Sequence, residues 1–169
     1  MGGRDRDSAG RPRNARPRDA LGRPLPPGSH GVDRVPEDAT LNPDQALRQA
    51  QQLIDDGYPF HAHEVLEAVW KSTEGEHRAL WQGLAQLAVG LTHVQRGNPQ
   101  GAVALLRRGA ARIDPYAGAP PNGLDVAGLA GQARSLAARI ECDGLDAVDS
   151  VDLRPRLTDQ PLPPSSPAS

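Results

Sequence analysis

Leu80, Leu84, Leu87, Leu91 and Val94 recur at three- and four-residue intervals along the longest periodic stretch of this chain. That period places all five on one face of an α-helix and on no single face of a strand. Gly97-Asn98-Pro99 then punctuates the chain. Glycine suits a left-handed C-cap, asparagine an N-cap, and proline the first position of the following helix. A helix with such a stripe needs other helices, or a sheet, to cover it.

The same reading predicts five helices and no strand. The first begins at Asn42-Pro43, buries Ala46, Ala50, Leu53 and Ile54, and ends at Gly57. The second runs from Pro59 through Trp70 to about Ser72. The third spans about Glu76 to Arg96. The fourth buries Ala102, Val103, Leu106, Ala110 and Ile113, with Arg107, Arg108 and Arg112 facing water. Asp114 to Asn122 is a loop. The fifth, about Leu124 to Glu141, buries Val126, Leu129, Ala130, Ala133, Leu136, Ala137 and Ile140. Short connections and one apolar stripe per helix make an all-α antiparallel bundle of about five helices over residues 39–145. Residues 1–38 are rich in Arg, Asp, Pro and Gly, and residues 146–169 end in a Pro- and Ser-rich run. Such compositions cannot bury enough surface to offset ordering entropy, so both are expected to be disordered tails.

Net charge is −2, which supplies no global field to gather nucleic acid or anionic lipid. Cys142 is the only cysteine, so no intrachain disulfide can form. No run of about 18 apolar residues suggests a membrane span. The polar opening Met1-Gly2-Gly3-Arg4-Asp5 leads into no apolar stretch of the kind a secretory signal needs. A cytoplasmic protein is the expectation.

The candidate site lies in the second helix, in Phe60-His61-Ala62-His63-Glu64-Val65-Leu66-Glu67-Ala68-Val69-Trp70. Steps of four and three residues put His63, Glu67 and Trp70 on one face, with Phe60 and Leu66. A histidine and a carboxylate aimed at an apolar interior must be satisfied by something. On the third helix, Gln82, Gln86 and His93 share a stripe opposite the leucines, with Gly83 and Gly90 beside it to admit a close neighbour. The simplest packing lays the second helix on that stripe, closing a buried polar patch. His61 then points to solvent, and Glu64, turned about 100° from His63, is less well placed.

Two readings fit such a patch. One is a satisfied structural network that holds the bundle in register. The other is a metal site, with His63, Glu67 and His93 as ligands of a divalent ion. The spacing His63-Glu64-Val65-Leu66-Glu67 lacks the second histidine of the H-E-x-x-H zinc motif, so that match fails.

The segments from Phe60 to Trp70, Gln82-Gly83-Leu84-Ala85-Gln86-Leu87-Ala88, His93 and Gly97-Asn98-Pro99-Gln100-Gly101-Ala102 resemble a bacterial and archaeal family called domain of unknown function 309. The likeness covers about Gln45 to Ile113 and weakens toward the fifth helix. It implies a small all-helical domain with the hallmark H-x-x-x-E-x-x-W or Y, for which metal binding has been suggested and no reaction established. That hallmark maps onto His63, Glu67 and Trp70 without departure.

Three functions follow as expectations. A metal-binding helical domain could act as a hydrolase, with Glu64 or Glu67 accepting a proton from metal-activated water. A non-enzymatic interaction module would bind a protein or dimerise with itself, using Trp81, Val65 and Val69 as uncovered apolar surface. Nucleic-acid binding through Arg78, Arg96, Arg107, Arg108 and Arg112 is weaker, because aromatic side chains for base stacking are nearly absent. No catalytic residue can be named.

Overall fold

The computed structural model describes residues 42–159 and Arg23. The expected tail over residues 1–38 lies outside the described residues, apart from Arg23, as do residues 160–169. Five α-helices follow in order: α1 (Pro43–Asp55), α2 (Pro59–Ser72), α3 (Arg78–Gln95), α4 (Pro99–Ile113) and α5 (Val126–Asp143). Among the described residues there is no strand, only one antiparallel bridge between Leu124 and Thr158. The all-α bundle is as expected.

The helix boundaries follow from their punctuation. At the end of α1, the Tyr58 amide donates to the Leu53 carbonyl (2.7 Å) and the Gly57 amide to that of Ile54 (3.1 Å). The end of α3 repeats the pattern, Asn98 to His93 (2.9 Å) and Gly97 to Val94 (3.1 Å). This double closure needs a left-handed residue, and Gly57 and Gly97 supply it at φ 87° and 74°. Each glycine is followed two residues later by a proline that opens the next helix, Pro59 or Pro99. Asn42, Asn98 and Asp125 cap α1, α4 and α5 by accepting from Asp44, Gly101 and Gly128 amides at 2.9, 3.0 and 3.0 Å.

Each helix packs on its neighbour in sequence, α1 on α2, α2 on α3, α3 on α4 and α4 on α5. Their apolar faces converge on one core that includes Leu47, Ile54, Leu66, Leu80, Leu84, Leu106, Ile113 and Val126. The small residues of α3 decide its partner. A Cβ on Gly83 would come within 2.6 Å of Ile113 Cγ2, and one on Gly90 within 2.9 Å of Leu106 Cγ. Gly109 answers from α4, where a Cβ would lie 2.8 Å from Leu87 Cδ2. The stripe of Gly83 and Gly90 therefore receives α4. It does not receive α2, as the sequence had suggested.

The described part of the expected tail, residues 146–159, returns to the bundle through two short 3₁₀ turns (Leu145–Ala147 and Ser150–Leu153) and an extended strap. Leu157 and Thr158 are buried there. Val65, Val69 and Trp81, expected to offer uncovered surface, are buried too.

The same substitution should act oppositely at two helical glycines. Gly109→Ala overpacks the α3–α4 seam and is expected to cost about 1–3 kcal/mol despite its better helix propensity. Gly131→Ala, with nothing within 4 Å of its added carbon, should stabilise by about 0.5–1 kcal/mol. Urea-unfolding midpoints of the two variants would show the difference in sign.

Candidate functional site

The apolar face of α2 is made by Ala62, Val65, Leu66 and Val69, all buried. It turns inward because the helix is covered by α1 on one side and α3 on the other. His61, one turn before Val65, goes in with it and is 1 % exposed. His61 is thus the buried histidine of the helix, where the sequence reading had placed it in water. Its Nδ1 lies 3.7 Å from Glu64 Oε2, one turn on. Edge-on contacts to the Tyr58 and Phe60 rings, at 6.2 and 5.6 Å between centroids, enclose it further.

His63, Glu67 and Trp70 form the flank of that face and are half-buried. The side chains of His63 and Glu67 are 20 % and 30 % exposed, with Nε2 and Oε2 3.5 Å apart. Lys71 Nζ approaches the other Glu67 oxygen at 3.3 Å. His63, Glu67 and Lys71 therefore make a chain of alternating polar groups along two helical turns. Burial pushes the His63 imidazole below its ordinary value, against the upward pull of the Glu67 and Glu64 carboxylates and the Phe60 carbonyl. Phe60 stacks obliquely on His63 at 5.6 Å.

Two arginines, Arg78 at the start of α3 and Arg96 just past its end, frame this flank. Arg96 lies over the Phe60 ring at 5.5 Å, and Arg78 over Trp70 at 5.5 Å. Arg78 also donates to the Trp70 and Thr73 carbonyls at the end of α2, at 3.1 and 3.2 Å. Trp70 Nε1 is buried and has no partner within hydrogen-bond distance among the described residues.

The closing side of the expected patch is elsewhere. Gln82 and Gln86 face α4, where both accept from Arg112, at 2.8 Å from Nη1 and 3.2 Å from Nε. Arg112, expected in water, is partly buried between them because the glycines bring the two backbones close. His93 also turns to α4. Asn98 accepts from the Gly101 amide through Oδ1, which leaves its NH₂ to donate to His93 Nδ1 at 3.1 Å. An acceptor Nδ1 is an unprotonated one, and His93 is held below its ordinary value by burial and by Arg96. Gln82, Gln86 and His93 thus serve the α3–α4 seam and do not close over His63, Glu67 and Trp70. Among the described residues, no three His, Cys, Asp or Glu side chains are grouped so as to hold a metal ion.

Two outcomes follow. His63 and His93 both have lowered affinity for protons in the fold, so the unfolded chain binds more protons just below its own histidine pKa. Stability is then fully present above about pH 6.5 and lost as pH falls below it. Thermal melts from pH 7.5 to 5.5 should show this loss, and His63→Gln should flatten it. At neutral pH, His61→Ala should cost about 2–4 kcal/mol as a cavity in the core. Glu67→Ala should cost less than about 1 kcal/mol, because its pairs are solvent-screened. Equal losses in the two variants would contradict this division of the helix.

No curated protein and no solved structure matches the chain. Residues 47–105, from the first helix into the fourth, match the model of a family described as a domain of unknown function, DUF309.

Proposed function

We propose that this domain is a non-enzymatic interaction module that presents the α2 flank of Phe60, His63, Glu67 and Trp70 to a protein partner in the cytoplasm. The observation that carries the reading is the partial exposure of all four on a helix whose other face is fully covered. Aromatic rings that keep one edge in water, framed by Arg78 and Arg96, are the composition of an interface centre. The Glu67 carboxylate, part-exposed beside the Lys71 ammonium, offers an acceptor there. Self-association into a homodimer through this flank is the simplest form of the module. Net charge and the scarcity of aromatics argue against nucleic acid as the partner.

A second reading keeps a divalent metal ion on His63 and Glu67. What favours it is the 3.5 Å approach of Nε2 and Oε2 at i and i+4. It would need its third ligand from a partner or from water, since His93 is engaged by Asn98.

One experiment separates the readings. A photo-crosslinking side chain is placed at position 63 in living cells, with one at exposed Arg108 as control, and the metal content of chelator-free protein is measured beside His63→Ala. A defined crosslinked species from position 63, with no stoichiometric metal, supports the module. One equivalent of metal that disappears in His63→Ala replaces it with the metal reading, and absence of both results sinks both.

A further inference from the structure

Residues 150–158 do more than end the fold. They lie along a groove between α1 and α5, held in part by contacts that would accept other sequences. Gln51 of α1 reads the strap backbone with both ends of its amide, donating to the Pro155 carbonyl (3.1 Å) and accepting from the Leu157 amide (2.8 Å). The Asp125 amide donates to the Leu157 carbonyl at 2.9 Å, extending the strap by one step of backbone pairing. Such bonds fix an extended chain without selecting its side chains.

Four strap side chains add selectivity, of which Leu153 packs against the core and Thr158 is buried. Asp152 receives Arg139 of α5 in a two-pronged pair, 2.9 Å for each nitrogen–oxygen contact. Leu157 enters the core and is 3 % exposed. It fits loosely. A cavity of about 30 Å³ lies beneath the strap, lined by Leu87, Leu91, Leu129 and Leu136 with Pro155 and Leu157. That is room for roughly two water-sized spheres in walls that offer water few partners. Val151 remains 71 % exposed at the other end of the strap. The strap hangs from Gly144, whose φ of 79° terminates α5.

We propose that residues 150–158 are the resident occupant of a peptide-binding groove, displaced by an extended segment of a protein partner that carries a carboxylate and, five residues on, a phenylalanine or methionine. The carboxylate takes Arg139, the backbone takes Gln51 and Asp125, and the larger side chain fills the space that leucine leaves. Each further methylene buried there strengthens binding about fourfold. That gain is what lets a partner compete with a tethered strap, whose effective concentration is high. The groove shares no residue with the α2 flank, and either assignment can stand without the other.

The test uses the full chain and a fluorescein-labelled peptide of residues 149–159 carrying L157F. Anisotropy titrations compare wild type, D152N and D152N/R139A. D152N loosens the resident strap and should bind the peptide about tenfold more tightly than wild type, and R139A, which in that background removes the partner of the peptide's carboxylate, should take away about tenfold of that affinity. Unlabelled peptide of the native sequence should compete less well than the L157F form. A folded D152N chain that does not bind, or binds equally with R139A, overturns the proposal, and so does a D152N chain that no longer folds. Hydrogen exchange on the wild type gives an independent reading: the Leu157 amide should open far more often than those of α3, and equal protection would mean the strap is core.

Discussion

The close approach of α3 and α4 is the constraint on which the other placements depend. Gly83, Gly90 and Gly109 leave no room for a Cβ between the two helices. Side chains of the facing helix, Ile113, Leu106 and Leu87, fill the space the glycines leave, and the rotation of each helix about its axis is fixed by the glycine stripe. Everything else on α3 follows from that rotation. Gln82, Gln86 and His93 lie beside the glycines, so they face α4 and find Arg112 and Asn98 there. The opposite side of α3 is left for α2.

That division explains the character of α2. With α3 and α1 covering the Ala62, Val65, Leu66 and Val69 side, the most deeply buried polar group is His61, enclosed by rings and facing Glu64. His63, Glu67 and Trp70 are rotated to the flank, where water still reaches them. Glu67 can then approach Lys71 at a part-exposed edge of the helix and not in the core. His63 is buried enough to resist protonation, though not enough to lose contact with solvent. A histidine, a carboxylate and an indole at a wet edge are suited to meeting something from outside, and are a poor substitute for core.

The bundle is small, and its core is completed by a segment with little regular structure. Leu157 comes from the strap to cover leucines of α3 and α5. A five-helix domain of this size has little apolar surface to spare, so recruiting a short extended segment is an economical closure. The same segment is anchored by polar groups at the surface, which is where local opening has its lowest cost.

The local elements were legible in the sequence because their causes are local. Asn42-Pro43, Gly57 before Pro59, and Gly97-Asn98-Pro99 state their own backbone geometry, and the helices begin and end close to where those residues require. The leucine stripe of α3 and the apolar positions of α5 needed only the 3.6-residue period. That His63, Glu67 and Trp70 share a face was equally readable, since it depends on the helix alone. Which neighbour covers each face was not, because it depends on volumes contributed by residues far apart in the chain. A signal for α2 existed: Ala62, Val65, Leu66 and Val69 form a more apolar stripe than His63, Glu67 and Trp70, and His61 travels with it. No local signal marked the strap, whose composition reads as a tail. Leu157 is held in place by the core it enters and by Gln51 and Asp125, distant in sequence, which present hydrogen-bonding groups that its backbone can use. The sequence by itself determined the helices and the residues that share each face. Only the tertiary structure decided which faces meet, since that choice is made by close packing between segments the chain brings together from afar.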